Sequence, residues 1–140
     1  MLEKEMIEEL IGIAIEMTKM SYSPYSHFKV GAALLAKNGQ IYRGCNIENA
    51  GYTPANCAER TAFFKAVSEG VREFTAIAVV GGKEGILTEL TAPCGVCRQV
   101  MMEFCDPKTF QIILATDQKN YQILTLEELL PMGFGPNNLA

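Results

Sequence analysis

The sequence predicts an α/β protein in which a mixed sheet lies between helices. Two observations support this class. Apolar residues recur at helical spacing near the start of the chain, and the middle of the chain alternates short apolar strands with helices. In addition, the Asn-Gly pair within Lys37–Gln40 predicts a β-hairpin. The antiparallel strands of that hairpin make the sheet mixed rather than purely parallel.

The first part of the chain predicts one helix, one loop and two strands. The helix covers Leu2–Met20, and its apolar positions at helical spacing are Leu2, Met6, Leu10, Ile13 and Met17. Ser21–Ser26 contains a proline and is predicted to be a loop. Strands are predicted at Phe28–Ala36 and Gln40–Ile47, on either side of the hairpin turn.

Glycine and proline mark the ends of the later elements, as Gly70 and Pro131 do for two helices. The predicted elements are a turn-rich stretch at Asn49–Pro54, a helix at Cys57–Gly70, a strand at Thr75–Val80 closed by Gly81-Gly82, a helix from Pro93 to Cys105, strands at Phe110–Ala115 and Gln122–Thr125, and a short helix at Leu126–Leu130. The pattern does not fix the order of the strands in the sheet.

Composition narrows the function. The 140 residues fit one domain, residues 1–140, and 49% of them are hydrophobic. The net charge of −4 offers no basic field for a nucleic acid polymer. No apolar run approaches the ~20 residues that cross a bilayer. The acidic start of the chain lacks the features of a secretory signal, so we expect a cytoplasmic protein.

Three of the five cysteines form a candidate zinc site. Cys94 and Cys97 are three residues apart at a predicted helix start, and Cys57 lies at another. Unpaired amides at a helix N-terminus favour the thiolate, which is the form that binds metal. Three ligands suit a catalytic zinc that keeps one open position. The alternatives are a closed structural site with His27 as fourth ligand, and a redox dithiol that leaves Cys57 unexplained.

Glu59, two residues after Cys57, is the candidate proton carrier. At a helix entrance both side chains can face one pocket, and a general base near zinc is what hydrolytic deamination needs. The alternative is a capping box, in which Glu59 reaches back to the backbone of Asn56. The remaining cysteines, Cys45 and Cys105, are expected to be small buried residues.

These residues resemble the signature of the cytidine deaminases. The signature segments are Cys57-Ala58-Glu59-Arg60 and Pro93-Cys94-Gly95-Val96-Cys97-Arg98-Gln99. The first ligand is cysteine rather than histidine, as in the branch that acts on free nucleosides. The likeness extends to Tyr22–Ser26 with Phe28 and Val30–Ala33, to Gly44–Ala50, and to Leu129–Pro131 with Phe134–Pro136.

The resemblance implies a three-layer α-β-α fold with a mixed five-stranded sheet, and hydrolysis of cytidine and deoxycytidine to uridine and deoxyuridine in pyrimidine salvage. It also implies a role for each matching residue: Cys57, Cys94 and Cys97 as ligands of Zn²⁺, Glu59 as general acid and base, Asn46 and Glu48 as ribose ligands, Phe28 against the pyrimidine ring, Ala58 in the substrate site, and Arg60 as a positive charge beside the zinc thiolates. It further implies a homotetramer in which Tyr52 and Phe134 complete the pocket of a neighbouring subunit.

Plainer interpretations stay open for these residues. Asn46 and Glu48 are two apart on a predicted strand and share a face, yet they also fit a solvated strand end. Phe28 also fits an ordinary core position, and Arg60 an exposed helix arginine. Three other functions remain: deamination of another aminopyrimidine such as a nucleoside antibiotic, a zinc-stabilised binding module without chemistry, and editing of polynucleotides.

Overall fold

In residues 2–140, which the computed structural model describes, five strands form one sheet and four helices pack around it. The elements are α1 (Lys4–Thr18), β1 (Phe28–Ala36), β2 (Ile41–Cys45), α2 (Ala58–Ser68), β3 (Phe74–Lys83), α3 (Gly95–Phe104), β4 (Gln111–Ala115), β5 (Tyr121–Thr125) and α4 (Leu126–Leu129), followed by a 3₁₀ turn at Pro136–Asn138. Within residues 2–140, no helix combines the length and apolarity needed to cross a membrane.

The sheet is mixed, as predicted, and its strand order is β2-β1-β3-β4-β5. Only the β3–β4 pair is parallel; the other three neighbouring pairs are antiparallel. The predicted hairpin joins β1 to β2, with Leu35 opposite Ile41. Gly39 closes its turn at φ 91°, a left-handed backbone that glycine adopts without a steric penalty.

One face of the sheet is covered by α1, and of its predicted apolar positions Leu10 lies in the buried cluster there while Leu2, Met6 and Ile13 pack against that cluster. The buried residues of α1 are Ile7, Leu10, Ile11, Ala14 and Thr18, so Leu10 is the one fully buried member of the predicted set. Gly31 of β1 determines which side of α1 lies closest to the sheet. A Cβ at Gly31 would lie 1.9 Å from the carbonyl oxygen of Ala14, so the missing side chain lets the Ala14 face of the helix lie against the strand.

The opposite face is covered by α2, α3 and α4, which completes the three layers. Phe63 of α2, Met101 of α3 and Leu126 of α4 are fully buried in one cluster with Ile77 and Ile112 of the sheet. Complete burial of such a side chain contributes roughly 1.5–3 kcal/mol. The two helices whose starts carry the candidate metal ligands are therefore fixed against the same sheet face.

β3 is longer than predicted, and the expectation that Gly81-Gly82 closes it was wrong. The strand continues to Lys83 because both glycines pair with β1, Gly81 with Val30 and Gly82 with Lys29. A Cβ at Gly82 would lie 1.9 Å from the carbonyl oxygen of Ile86. This glycine serves a close backbone approach rather than a turn.

Gly44 sets how closely α2 approaches the sheet. A Cβ at this position of β2 would lie 2.2 Å from the carbonyl oxygen of Ala58 and 2.8 Å from the amide nitrogen of Ala62. Because backbone atoms cannot give way as a flexible side chain can, a larger residue here would push the first turn of α2 outward. The entrance of α2, and Cys57 immediately before it, thus take their position from β2.

Candidate metal centre and its pocket

The three predicted cysteine ligands lie together. The Sγ atom of Cys94 is 3.7 Å from that of Cys57 and 3.5 Å from that of Cys97, and all three sulfurs lie within 4.8 Å of one another. All five cysteines are free thiols. Zinc–sulfur bonds of ~2.3 Å in tetrahedral geometry separate two sulfurs by ~3.8 Å. The observed spacing therefore fits three sulfurs around one zinc ion.

Two helix entrances bring these sulfurs together. Cys57 is the N-cap of α2 and Cys94 is the N-cap of α3, both with extended backbone, and Cys97 lies in the first turn of α3. The free amides and the dipole of each helix start favour negative charge at that point. Two such ends meeting at one point stabilise a cluster of thiolates, as the sequence predicted.

Arg60 adds a full positive charge to the cluster. Its Nη2 donates to the Sγ atom of Cys57 at 3.2 Å. Hydrogen bonds from the Cys97 thiol and the Arg60 guanidinium lower the pKa of Cys57 to about 5, although burial opposes them. The bond to Cys57 raises the pKa of Cys97 in turn, and burial acts in the same direction. Arg60 is therefore not a solvated helix arginine.

Glu59 is buried beside the sulfurs. Glu59 is 4% exposed, and burial raises the pKa of its carboxyl to about 7. The capping box with Asn56 is absent: the N-cap of α2 is Cys57, and the Asn56 amide donates instead to the Thr61 hydroxyl at 3.2 Å. Because the carboxyl does not cap the helix, it remains free for another task.

A closed site with His27 does not form in the part of the chain that the structure describes. The metal-binding group there consists of Cys57, Cys94 and Cys97, without His27. The imidazole is instead exposed, with Nδ1 3.5 Å from a carboxylate oxygen of Glu84. A redox pair of Cys94 and Cys97 is also a poor description, since Cys57 lies almost as close to Cys94 as Cys97 does. The donor set therefore fits an open three-sulfur site.

Asn46 and Glu48 lie just past the end of β2 rather than on it, because β2 ends at Cys45. Asn46 is held by long-range bonds: its Oδ1 accepts from the Val30 amide at 2.9 Å, and its Nδ2 donates to the Phe28 carbonyl at 2.7 Å. The interpretation of Asn46 as a solvated strand end was therefore wrong.

Glu48 is fixed by the Ser21–Ser26 loop. Its carboxylate accepts from the Ser26 hydroxyl and from the amides of Tyr25 and Ser26 at 3.0 and 3.1 Å. The hydroxyl of Ser26 is the main cause that lowers the pKa of Glu48. The carboxylate is therefore ionised and oriented, and it cannot be treated as a freely rotating surface group.

A pocket of about 270 Å³ joins these groups. Its lining includes most of the predicted site residues, namely Asn46, Glu48, Cys57, Ala58, Glu59, Arg60 and Cys94. Val30, Ala55 and Thr91 also line the pocket, although the sequence did not indicate them as site residues. The serines in the loop after α1 could have indicated the groups that anchor Glu48. Nothing in the local sequence indicates that Thr91 lines the pocket.

Four predicted residues do not line this pocket, namely Cys97, Phe28, Tyr52 and Phe134. Cys97 is buried in the sulfur cluster. Phe28 lines an adjacent cavity of about 660 Å³, and Thr91 lines both this cavity and the pocket. Because Phe28 is 38% exposed, it is not an ordinary core residue. Tyr52 is 77% exposed, and Phe134 lies on another surface with Gln99. Cys45 and Cys105 are buried, as expected, and lie outside the sulfur cluster.

Three thiol ligands and a buried carboxyl lie at two helix entrances of a three-layer α/β fold. This arrangement defines a class of zinc site with one open coordination position. The family model of the "Cytidine and deoxycytidylate deaminase zinc-binding region" matches residues 4–113. The chain belongs to this family.

Individual relatives agree with this assignment. A cytidine deaminase of Sporosarcina psychrophila is 48% identical over 96% of this chain and 95% of its own length. One from Halalkalibacterium halodurans is 51% identical over 89% of this chain and 91% of its own. The crystal structure of a cytidine deaminase from Burkholderia pseudomallei superposes with a TM-score of 0.82, at 46% identity, over 90% of this chain and 97% of that one.

Proposed function

We propose that this protein catalyses the zinc-dependent hydrolysis of cytidine and deoxycytidine to uridine and deoxyuridine, with release of ammonia. The observation that carries the proposal is the meeting of three sulfurs and the buried Glu59 carboxyl at one pocket, with two oriented polar groups, Asn46 and Glu48, at its other side. Relatives of similar length that bear the name cytidine deaminase support the choice of substrate.

Cys57, Cys94 and Cys97 hold the zinc ion in this proposal. When bound, zinc supplies Lewis-acid chemistry that activates water as a nucleophile near neutral pH. Three thiolates weaken that effect because they donate negative charge, and the Arg60 guanidinium against Cys57 offsets part of it. Arg60 thus tunes the ligands without touching the substrate.

Glu59 moves the protons. Its carboxylate takes a proton from the attacking water and delivers it to N3 of the cytosine ring, while the water oxygen bonds to C4. The carboxylate next takes the proton of the new C4 hydroxyl group and gives it to the amino nitrogen. The C4–N bond then breaks, its electron pair stays on nitrogen, and ammonia leaves. Burial away from bulk water suits this role, because it keeps the proton between carboxyl and substrate.

Asn46 and Glu48 bind the ribose hydroxyls, and Phe28 packs against the pyrimidine ring near Ala58. The carboxylate of Glu48 is an acceptor for hydroxyl groups and is already oriented by Ser26. Its ionised state also disfavours a phosphorylated or polymeric substrate through charge repulsion. A free nucleoside fits these groups better than a polynucleotide.

The assay is direct. The purified protein should convert cytidine to uridine, followed by ultraviolet absorbance and by ammonia release, and should stop after zinc removal by a chelator and recover on zinc addition. An aminopyrimidine antibiotic nucleoside is the comparison substrate. Turnover of that compound with none of cytidine would identify the alternative deaminase. A zinc-loaded protein that releases ammonia from neither would be a binding module instead.

We further propose a homotetramer in which Tyr52 and Phe134 complete the pocket of a neighbouring subunit. Tyr52 is largely exposed and is held at φ 61°, a left-handed backbone that a tyrosine rarely adopts without a functional reason. Phe134 is 57% exposed, and its carbonyl accepts from the Gln99 amide of α3 at 2.7 Å. Both rings are thus presented outward on constrained backbone.

Light scattering should give the mass of four chains, and Tyr52→Ala should raise KM for cytidine. Ile123→Ala is the matched control, because Ile123 is a partly exposed apolar residue on β5, at the opposite edge of the sheet from β2. A fully active protein with the mass of one chain would contradict the shared pocket.

The chain is further proposed to act in the cytoplasm, in pyrimidine salvage, as one deaminase domain. Thiol ligands need a reducing compartment to remain free. The pocket draws its residues from the loop after α1 through to the start of α3, which supports one domain.

A further inference from the structure

Arg98 joins the entrance of α3 to the end of α4. Its Nε donates to the carbonyl oxygen of Pro93 at 2.7 Å, and its Nη1 donates to that of Leu129 at 2.6 Å. Its backbone amide donates to the Cys94 carbonyl at 3.0 Å, in the first turn of the helix. Hydrogen bonds from a charged donor are roughly twice as strong as neutral ones. The Arg98 side chain therefore links the backbones of two segments that are 36 residues apart in the sequence.

The bond to Pro93 acts on the peptide directly before a sulfur ligand. Pro93 is buried, and its carbonyl belongs to the same peptide plane as the amide nitrogen of Cys94. Fixing this plane limits the backbone angles of Cys94, which is the extended N-cap at φ −68° and ψ 168°. The direction of the Cys94 side chain toward the other two sulfurs follows from those angles.

The hydrogen bond to the Leu129 carbonyl anchors the Arg98 guanidinium to α4. α4 has four residues, so its last carbonyls lack partners within the helix, and Arg98 supplies one. The start of α4 is closed by a capping box, with mutual bonds between Thr125 and Glu128. Because α4 is secured at both ends and packs on the core through Leu126, it can hold Arg98 in place.

We propose that Arg98 is a positioning residue of the metal centre: by holding the Pro93 peptide against α4, it keeps the Cys94 sulfur in place and slows the loss of zinc. Arg60 touches a sulfur atom, whereas Arg98 acts through the backbone alone. The inference rests on the zinc centre of the proposed function and is independent of the substrate.

The test is zinc competition against a chromophoric chelator with zinc-loaded Arg98→Met and Arg98→Lys. Loss of residues that orient metal ligands weakens metal binding ~10–100-fold, and we expect Arg98→Met to fall in this range. Lysine has no planar fork to reach both carbonyls, so Arg98→Lys should show a smaller loss. Arg72→Met is the control, since Arg72 is an exposed arginine beyond α2 and should keep wild-type zinc affinity.

Thermal unfolding of the metal-free and zinc-loaded forms distinguishes a positioning role at the metal centre from a general contribution of Arg98 to fold stability. Positioning predicts that Arg98→Met destabilises the zinc-loaded form more than the metal-free form. Equal losses in both forms, with wild-type zinc affinity, would overturn the proposal. If Arg98→Met does not fold, Arg98→Lys decides in the same way. A wild-type protein that binds zinc but does not deaminate cytidine would contradict the proposed function and leave this test intact.

Discussion

Glu59→Gln should lower kcat for cytidine at least ~10²-fold while the protein stays folded and keeps its zinc, because glutamine has the shape of glutamate but cannot take up a proton. Glu59 is neither the N-cap of α2 nor a member of the metal-binding group, so we expect fold and zinc binding to survive the loss of its charge. The measurement combines steady-state kinetics with zinc analysis and circular dichroism of the same preparation.

The matched control is Glu69→Gln. Glu69 is exposed at the other end of the same helix, where it is the C-cap of α2. The same chemical change there should leave kcat unaltered. Near-normal turnover in Glu59→Gln would remove the proton carrier from the account, whereas a variant that loses zinc would show that the carboxyl supports the metal centre instead.

Cys94→Ala should abolish stable zinc binding. Cys94 lies between the other two sulfurs, at 3.7 and 3.5 Å, and its removal leaves two ligands that are insufficient for a tight zinc site. Elemental analysis should find about one zinc per wild-type chain and almost none in the variant. Activity should fall with the metal content.

Cys105→Ala is the control for this change. Cys105 is a buried free thiol just beyond the end of α3, and burial raises the pKa of its thiol, which disfavours the thiolate that a metal binds. Its replacement should leave the zinc content at the wild-type level. Unchanged zinc in Cys94→Ala would refute the three-sulfur assignment.

Local signals in the sequence were enough to predict the two helix starts that carry candidate metal ligands, and the hairpin. Cys57 and Cys94 precede apolar helical segments, and the structure confirms that both are N-caps. The Asn-Gly pair ending at Gly39 likewise depends on its own backbone preference. Features of this kind are determined by the conformational preferences of a few neighbouring residues.

Features that depend on distant contacts could not be predicted from local patterns. Gly81-Gly82 has the composition of a turn, yet pairing with β1 extends the strand through both residues. Asn46 is held by partners at Phe28 and Val30, 18 and 16 residues away. Leu10 is the one predicted apolar position of α1 that is fully buried, because Gly31, on another element, brings the Ala14 side of the helix closest to the sheet.

X-ray absorption at the zinc edge reports the atoms bound to the metal in the active protein, and it therefore tests the three-cysteine zinc site itself. We expect three sulfur neighbours at ~2.3 Å and one oxygen or nitrogen. Four sulfur neighbours, or a shell of two sulfurs with two nitrogens or oxygens, would contradict the open three-cysteine site.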